Sequence, residues 1–184
     1  MKLHAGQPAK LFTTTDISGA TVALENYRGR YTLLSFLRSA SCQLCNLRIH
    51  YLIGRYPELQ ARSLNIITIF ETSVATTERF AGNQRPPFPL IANPDHDLYR
   101  LYGVERSLWG FITGFVFTRR AEFSQAHKLG MHTLSDGNHL QLPADFLLNP
   151  DLTIARAYYG RDIGDHLPLN EIEQFLATPV PVLT

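Results

Sequence analysis

Two cysteines, Cys42 and Cys45, have the spacing of a dithiol that can close into a disulfide, and the chain contains no other cysteine. They lie in the run SFLRSASCQLCNLRIHYL, where a pattern typical of a buried strand gives way to the start of a helix. The partial positive charge at a helix N-terminus stabilises a thiolate, the nucleophilic form of cysteine. A C-x-x-C pair at this junction therefore predicts redox chemistry, in which one thiolate attacks a disulfide or peroxide and the second thiol resolves the intermediate.

Positive charge surrounds the pair along the sequence. No Asp or Glu occurs between Asn26 and Pro57. The same segment contains five arginines: Arg28, Arg30, Arg38, Arg48 and Arg55. An electropositive neighbourhood lowers the pKa of a thiol, and Arg38 is the main candidate because it leaves the strand just before the helix. For any single arginine, the simpler interpretation is a solvated surface residue.

Helical spacing makes the two sulfurs inequivalent. Cys45, Ile49 and Leu52 lie at positions i, i+4 and i+7, so Cys45 belongs to an apolar stripe that should face the core. Cys42 lies at the helix start, and the small residues at 39–41 are expected to leave it open to solvent. This arrangement favours Cys42 as the attacking thiolate and Cys45 as the resolving thiol.

Other uses of the cysteines stay open. Both could be free thiols that act as small apolar side chains. A zinc site would need four ligands, and the chain offers the two cysteines with His50 but no second histidine pair at finger-like spacing. A Cys–His nucleophile pair is a further alternative, since the chain contains seven histidines. The spacing and junction position favour the redox pair.

Length and composition limit the remaining classes of function. A chain of 184 residues favours a single domain, which we place at residues 1–184. A net charge of +1 gives no reason to expect nucleic acid or an acidic membrane as a partner. The start, MKLHAGQPAKLF, has no apolar stretch long enough for a secretory signal, and no run approaches a membrane span. With two cysteines and no disulfide framework, we expect a cytoplasmic location in which the pair rests as a dithiol.

The elements that must position the cysteines can be outlined from the pattern. Near-continuous apolar runs at 31–37 and 65–71 predict strands that are buried on both faces. Between them, a helix should run from about Cys42 towards Arg55 and reorganise near Pro57, because proline disrupts a helix interior.

Helical patterns continue after the second strand. Ser73 is a candidate N-cap and Gly82 a candidate stop of one helix, and Gly103 should close the next. The stretch 104–140 is predicted to be a helical insertion.

The last part of the chain predicts a hairpin and a final helix. PADFLLNPDLTIARAYYG has the pattern of two strands joined by a turn at 149–151, and Asn170 is a candidate cap of the helix that follows. Together the elements predict an α/β fold, with a mixed central β-sheet that helices cover on both faces.

Several segments resemble the thioredoxin-fold AhpC/TSA proteins, specifically the peroxiredoxin-like branch that carries C-x-x-C. These are G-x-P at 6–8, LENYRGRYTLLSF, PFPLIANPDHDLYRLYGV, LPADFLLNPDLTIARAYYG and YGRDIGDHLP. The resemblance implies a thioredoxin-like fold with a peroxiredoxin-like N-terminal extension and a helical insertion before the late hairpin. It also places Pro143 at the position of the thioredoxin-fold cis-proline.

The resemblance assigns opposite roles to the two cysteines. In the peroxiredoxin pattern P-x-x-x-T-x-x-C, Arg38 takes the place of the proline and Cys42 that of the threonine, so that Cys45 would attack. Thioredoxins attack with the first cysteine, which is Cys42. The peroxiredoxin arginine before the late strand is replaced by Leu142–Pro143, and the buried acid of thioredoxins is replaced by Phe36.

These observations imply a thiol–disulfide oxidoreductase or weak peroxide reductase that uses Cys42 and Cys45. Arg38 would stabilise the thiolate, while Arg161 and Asp162 could contribute to the pocket from the closing region. We expect a peroxide or disulfide as substrate, a thiol such as thioredoxin or glutathione as electron donor, and no cofactor or metal; a homodimer is compatible with the pattern.

The alternative is a non-catalytic redox sensor or interaction module on the same fold. The apolar segment LWGFITGFVF would then form the partner surface, although core packing or a dimer interface explains it more simply.

Overall fold

The central feature of the fold is a five-stranded mixed sheet. A computed structural model describes residues 1–113, 119–131 and 140–177. The strands in these ranges are β1 (Thr13–Thr15), β2 (Thr21–Ala23), β3 (Tyr31–Phe36), β4 (Leu64–Phe70), β5 (Leu90–Ala92), β6 (Ala144–Leu148) and β7 (Ile154–Tyr159). The sheet order is β5-β4-β3-β6-β7, in which β3, β4 and β5 run parallel and β6 is antiparallel to both β3 and β7. A separate hairpin pairs β1 with β2.

Helices cover this sheet. Those in the described ranges are α1 (Gln43–Ala61), α2 (Val74–Phe80), α3 (Asp97–Leu101), α4 (Leu108–Thr113), α5 (Arg120–Lys128) and α6 (Leu169–Ala177). Within the same ranges, none of them combines the length and apolarity that crossing a bilayer requires.

The alternation of side chains along β3 builds a core on each face of the sheet. Leu33 packs in one buried cluster with both cysteines. Leu34 and Phe36 point the other way, into a second cluster that contains Tyr99 and Tyr102. Successive side chains of a strand point to opposite faces, so a continuous apolar run marks a strand that is covered on both. The predicted mixed sheet with helices on both faces is confirmed.

The helix after the cysteines is longer than the sequence predicts. It runs without interruption from Gln43 to Ala61, with Pro57 inside it. The expected reorganisation at Pro57 is therefore wrong. Proline removes one backbone donor and strains the preceding turn. Leu59, beyond the proline, is fully buried in the core, and this packing offsets the lost hydrogen bond.

Two of the predicted helix ends are confirmed. The Ser73 side chain accepts a hydrogen bond from the Thr76 backbone N–H at 3.2 Å, as an N-cap should. Gly103 follows α3 with a φ of +66°, and a Cβ added there would lie 2.5 Å from the Met1 carbonyl oxygen. Gly82 does not stop α2, which ends at Phe80, but begins a short 3₁₀ turn.

The last helix begins two residues earlier than a cap at Asn170 would allow. Leu169 is its first residue, and the backbone N–H groups of Glu171 and Ile172 donate to the Pro168 carbonyl. The proline carbonyl thus opens the helix, and Asn170 lies inside its first turn.

The predicted helical insertion is confirmed where the structure describes it, because α4 and α5 both lie within 104–140. An antiparallel bridge between Arg106 and Gln141 ties the two ends of the insertion together. The second half of the apolar segment, at 114–117, lies outside the described residues.

Candidate redox site

The site is built where β3 ends and α1 begins. Cys42 has an extended backbone and occupies the N-cap of α1, and its carbonyl accepts the Asn46 N–H at 3.0 Å. The backbone N–H groups of Leu44 and Cys45 lower the pKa of Cys42, although its side chain makes no capping hydrogen bond. Unpaired N–H groups in the first turn of a helix attract negative charge and so favour the thiolate.

Arg38 supplies a full positive charge to the same sulfur. Its side chain is buried, and one Nη atom lies 3.5 Å from Cys42 Sγ. Arg38 lies two residues after the end of β3, so the strand fixes the position of its backbone. The structure thus places Arg38 beside Cys42, and its part in catalysis stays a prediction.

The surroundings push the two thiols in opposite directions. The hydrogen bond from the Cys45 thiol, the Arg38 charge and the backbone N–H groups together outweigh burial and lower the pKa of Cys42 to about 6. Burial raises the pKa of Cys45 well above its usual value, and the neighbouring Cys42 thiolate raises it further. Both cysteines are free thiols. Near neutral pH, Cys42 therefore carries the charge and Cys45 keeps the proton.

Of the five arginines predicted to make the site positive, Arg38 is placed beside the Cys42 sulfur. Arg28 and Arg55 are about half exposed, and each pairs with a nearby glutamate. Arg48 is buried, but its charge faces the carboxylate of Asp145 at 3.7 Å. Glu25 and Glu58, each three positions from its arginine, and the distant Asp145 thus compensate three of these charges.

The expectation that small residues leave Cys42 open is wrong. Only 6% of Cys42 is exposed, and the residues at 39–41 are all buried. The backbone N–H of Ala40 donates to Thr72 Oγ1 at 3.3 Å, which brings the end of β4 over this loop. On the other side, a Cβ added at Gly164 would lie 3.2 Å from the Leu44 side chain. Small side chains here permit close packing, not access.

The helical stripe is confirmed. Cys45, Ile49 and Leu52 are at most 1% exposed and belong to the same core cluster. The two cysteines therefore differ in backbone position, in partners and in charge, although both are buried.

Asn46 holds the loop before the helix, a role that the sequence analysis missed. Its Nδ2 donates to the carbonyls of Ala40 at 2.6 Å and Cys42 at 3.0 Å. Gln84 Nε2 donates in turn to Asn46 Oδ1 at 3.0 Å and so fixes the orientation of the amide. An uncharged polar residue directly after Cys45 is the one signal that could have indicated it.

A buried polar group lies beneath the site. The Tyr99 hydroxyl donates to the carbonyls of Leu37 and Ile69 and so joins the ends of β3 and β4. Burial raises the pKa of Tyr99 well above its usual value, and the charge of Glu71 raises it further. Tyr99 thus remains a neutral donor at any ordinary pH.

A second buried polar group is centred on Asp145, which faces Arg48 of α1. Asp145 on β6 accepts hydrogen bonds from Ser35 Oγ at 2.6 Å and from the Leu167 N–H at 2.7 Å, and it lies 3.0 Å from His166 Nδ1. The Arg48 guanidinium donates to the Leu167 carbonyl at 2.9 Å. Burial alone would raise the pKa of Asp145, but the charges of His166 and Arg48 hold it at about 2. The sequence indicated no partner for this carboxylate.

The closing region, residues 159–168, contains two carboxylates, Asp162 and Asp165, that both pair with Arg119. Asp162 is buried and accepts from Arg119 Nε at 2.9 Å, while Asp165 accepts from the Arg161 backbone N–H and from the Tyr158 hydroxyl. The Arg161 side chain is exposed. Through Gly164, this region packs on the first turn of α1, but the part of Arg161 and Asp162 in a thiol pocket stays a prediction.

Pro143 lies directly before β6, as the resemblance places it, but the cis bond expected there is wrong. Among the described residues, every peptide bond is trans. The Leu142 N–H donates to the Glu105 carbonyl at 3.1 Å, so the residue before the proline is hydrogen-bonded to the segment that precedes α4. A trans bond suits this approach and is the intrinsically favoured isomer.

A metal site finds no support in the described part of the chain. No group of three or more His, Cys, Asp or Glu residues suited to a metal ion occurs there. His50, the third ligand considered, is exposed on α1 whereas both cysteines are buried.

Replacing Arg38 by methionine should raise the pKa of Cys42 by about one unit or more, because a nearby opposite charge favours the thiolate. The pH dependence of iodoacetamide alkylation measures this best in a Cys45→Ser background, where one thiol reports. Arg30→Met removes an exposed arginine at the opposite end of β3 from the site and should leave the midpoint unchanged. An Arg38→Met midpoint equal to that of its parent would contradict the assigned cause.

The sheet order and the position of the C-x-x-C pair define a thioredoxin-like fold. The sequence profile of the AhpC/TSA family matches residues 5–160. The chain therefore belongs to the AhpC/TSA family, and the resemblance stated from the sequence is confirmed.

Relatives with two kinds of name share parts of the chain. A Mycobacterium tuberculosis protein named as a peroxiredoxin, Rv2521, is 27% identical over 111 residues, which are 59% of this chain and 71% of that protein. The thiol-disulfide oxidoreductase ResA of Bacillus thuringiensis is 26% identical over 105 residues, 56% of this chain and 60% of ResA. Among solved structures, Peroxidoxin BcpB from Mycobacterium tuberculosis superposes with a TM-score of 0.67 at 14% identity, covering 95% of each chain. That structural likeness confirms the fold.

Proposed function

We propose that the protein is a thiol–disulfide oxidoreductase with peroxiredoxin-like layout, in which Cys42 attacks and Cys45 resolves. The observation that carries the proposal is the opposite shift of the two pKa values, downward for Cys42 and upward for Cys45. An attacking sulfur must be a thiolate at working pH, and a resolving thiol should keep its proton until the first bond has formed. Membership of a family with peroxiredoxin and oxidoreductase relatives supports the same chemistry.

The proposed cycle follows from these charges. The Cys42 thiolate attacks one sulfur of a disulfide, forms a mixed disulfide and releases the other half as a thiolate, which takes a proton from water. Cys45 then loses its proton and attacks the Cys42 sulfur, which closes the Cys42–Cys45 disulfide and releases the second half of the substrate. The substrate gains two electrons and two protons, and a cellular thiol donor such as thioredoxin or glutathione returns the protein to the dithiol.

A peroxide would be reduced by the same pair, but more slowly than by a dedicated peroxidase. Cys42 would attack one peroxide oxygen and become a sulfenic acid while the other oxygen leaves as water or alcohol. Cys45 would then displace hydroxide from the sulfenic acid as water. The peroxiredoxin threonine position is occupied here by Cys42 itself, and Leu142–Pro143 stands at the place of the late arginine. The proposal therefore ranks disulfides above peroxides.

The second candidate is a redox sensor or interaction module. Burial of both sulfurs favours it, since Cys42 is 6% exposed and Cys45 1%. The exposed apolar side chains of α4 also favour it, because Leu108, Trp109 and Ile112 are 61%, 74% and 37% exposed. A sensor would be oxidised slowly and once, whereas an oxidoreductase must cycle.

Multiple-turnover reduction distinguishes the two candidates. Reduced protein should lose two thiols and two hydrogen atoms in mass on treatment with a small disulfide, and a thioredoxin system should restore it repeatedly. Many turnovers per protein molecule are the expected result. Stoichiometric oxidation without turnover would favour the sensor, and two thiols that stay unreactive would reject both. A cytoplasmic location and a single domain over residues 1–184 are parts of the same proposal.

A further inference from the structure

A cleft of about 490 Å³ opens beside the redox site. Asn46 and Gln84 form one wall, Arg79 and Phe80 a second, and Leu129 and Met131 a third, at the C-terminal end of α5. Its volume falls within the range of about 300–1,000 Å³ typical of small-molecule sites. The cleft is separate from the closing region and from the Asp145 group.

Asn46 connects the cleft with the reacting sulfur. It lines the cleft, follows Cys45 directly and donates to the Cys42 carbonyl at 3.0 Å. Gln84, which also lines the cleft, donates to Asn46 Oδ1 and to the Asn46 carbonyl. Asn46 lies four positions beyond Cys42, so a molecule that touches this wall lies about one turn of α1 from the N-cap cysteine.

The walls specify the chemistry of an occupant. Among the described residues, no carboxylate forms an ion pair with the exposed Arg79, whose guanidinium carbon lies 5.3 Å from the centre of the Phe80 ring. The carboxamide of Asn83 has both donors and an acceptor, as a peptide group requires, and Gln84, whose N–H groups bond Asn46, adds its Oε1 as an acceptor. The apolar side chain of Met131 adapts its shape to a partner. A guanidinium, amides and apolar surface together suit a short peptide that bears a carboxylate.

We propose that this cleft binds a small peptide disulfide that carries carboxylates and presents one of its sulfurs to Cys42. The proposal rests on the oxidoreductase function above and names its substrate class. Arg79 pairs with a substrate carboxylate, and the carboxamides of Asn83 and Gln84 bond to its peptide groups. Thiol–disulfide exchange then follows the cycle proposed above for Cys42 and Cys45. Arg79 thus acts as a specificity-determining residue.

The test compares two disulfides that differ in charge. The probes are glutathione disulfide, an acidic peptide disulfide, and bis(2-hydroxyethyl) disulfide, which has neither carboxylate nor peptide group. The rate at which each oxidises the reduced full chain gives a selectivity ratio. Arg79→Gln should lower this ratio about fivefold, the effect of losing one exposed charge pair. Leu129→Glu, which adds a negative charge to the rim at an exposed position, should lower it as well.

Lys10→Gln is the matched control, since it removes one exposed positive charge that does not line the cleft. It should leave the ratio unchanged. Oxidation by both disulfides with a ratio that Arg79→Gln does not change would overturn the cleft proposal and leave the oxidoreductase function intact. Wild-type protein that reacts only with peroxide would also overturn it. Thiols that react with neither disulfide nor peroxide would instead reject the proposed function itself.

Discussion

Replacing Cys42 by serine should reduce the rate of disulfide reduction by roughly a thousandfold or more, the scale on which removal of a nucleophile acts. Serine keeps the N-cap, because its hydroxyl can accept the same backbone N–H groups. The variant should therefore fold, and Cys45 should remain an unreactive protonated thiol because burial holds its pKa high. Steady-state turnover with a thioredoxin system measures the loss.

Cys45→Ser should stop the cycle one step later. The first thiolate still attacks, so a disulfide substrate leaves half of itself bound to Cys42, and a peroxide leaves one oxygen atom. Mass spectrometry of the quenched reaction would show the adduct. The peroxiredoxin alignment predicts the reverse, with an adduct on Cys45 in Cys42→Ser and none in Cys45→Ser. That reverse pattern would overturn the assignment of roles.

Replacing Asp145 by asparagine should destabilise the protein by about 3–5 kcal/mol, because it leaves the buried Arg48 charge without its counter-charge. The carboxylate is fully buried, and it is held by Ser35, His166 and the Leu167 N–H. Urea unfolding near neutral pH measures the change. A loss below about 1 kcal/mol, the value of an exposed pair, would contradict the role assigned to this group.

The pH dependence gives an independent check. The pKa of Asp145 is about 2 in the folded protein, against about 3.9 in an unfolded chain. Its contribution is therefore present above the unfolded value and is lost as the pH falls through about 4 towards 2. Asp145→Asn should flatten this part of the stability profile. Glu58→Gln, which removes an exposed carboxylate paired with Arg55, should leave both the stability and the profile nearly unchanged.

A second replacement separates the Arg48–Asp145 pair from its surroundings. If the two charges act as a pair, Arg48→Met should destabilise the Asp145→Asn variant less than it destabilises the wild type, because the counter-charge is already gone. Equal effects in both backgrounds would show that the two charges act independently.

The fold could be predicted from the sequence because its signals are local. The apolar runs at 31–37 and 65–71 predict strands that are buried on both faces of the sheet, and the turn at 149–151 predicts the hairpin. The prediction of a break at Pro57 was wrong because packing farther along the helix outweighs the tendency of proline to disrupt a helix interior.

The site was predictable only in part. The pair and Arg38 lie within one short segment, so sequence proximity brought them together. Asp145, by contrast, is 110 positions from its partner Ser35, and only the antiparallel pairing of β6 with β3 makes them neighbours. The exposure of Cys42 was misjudged for the same reason, since Thr72 and Gly164, from distant parts of the chain, pack on its neighbours Ala40 and Leu44.

The stabilisation of the Cys42 thiolate has an energetic consequence for the oxidised form of the protein. The backbone N–H groups and Arg38 stabilise Cys42 as a thiolate, which exists only while the pair is reduced. Closing the disulfide removes that negative charge and its attraction to the helix N-terminus. Whatever stabilises the dithiol more than the disulfide raises the reduction potential of the couple. The pair should consequently be a stronger oxidant than two thiols of ordinary pKa on the same helix, and its disulfide should be readily reduced by cellular thiols.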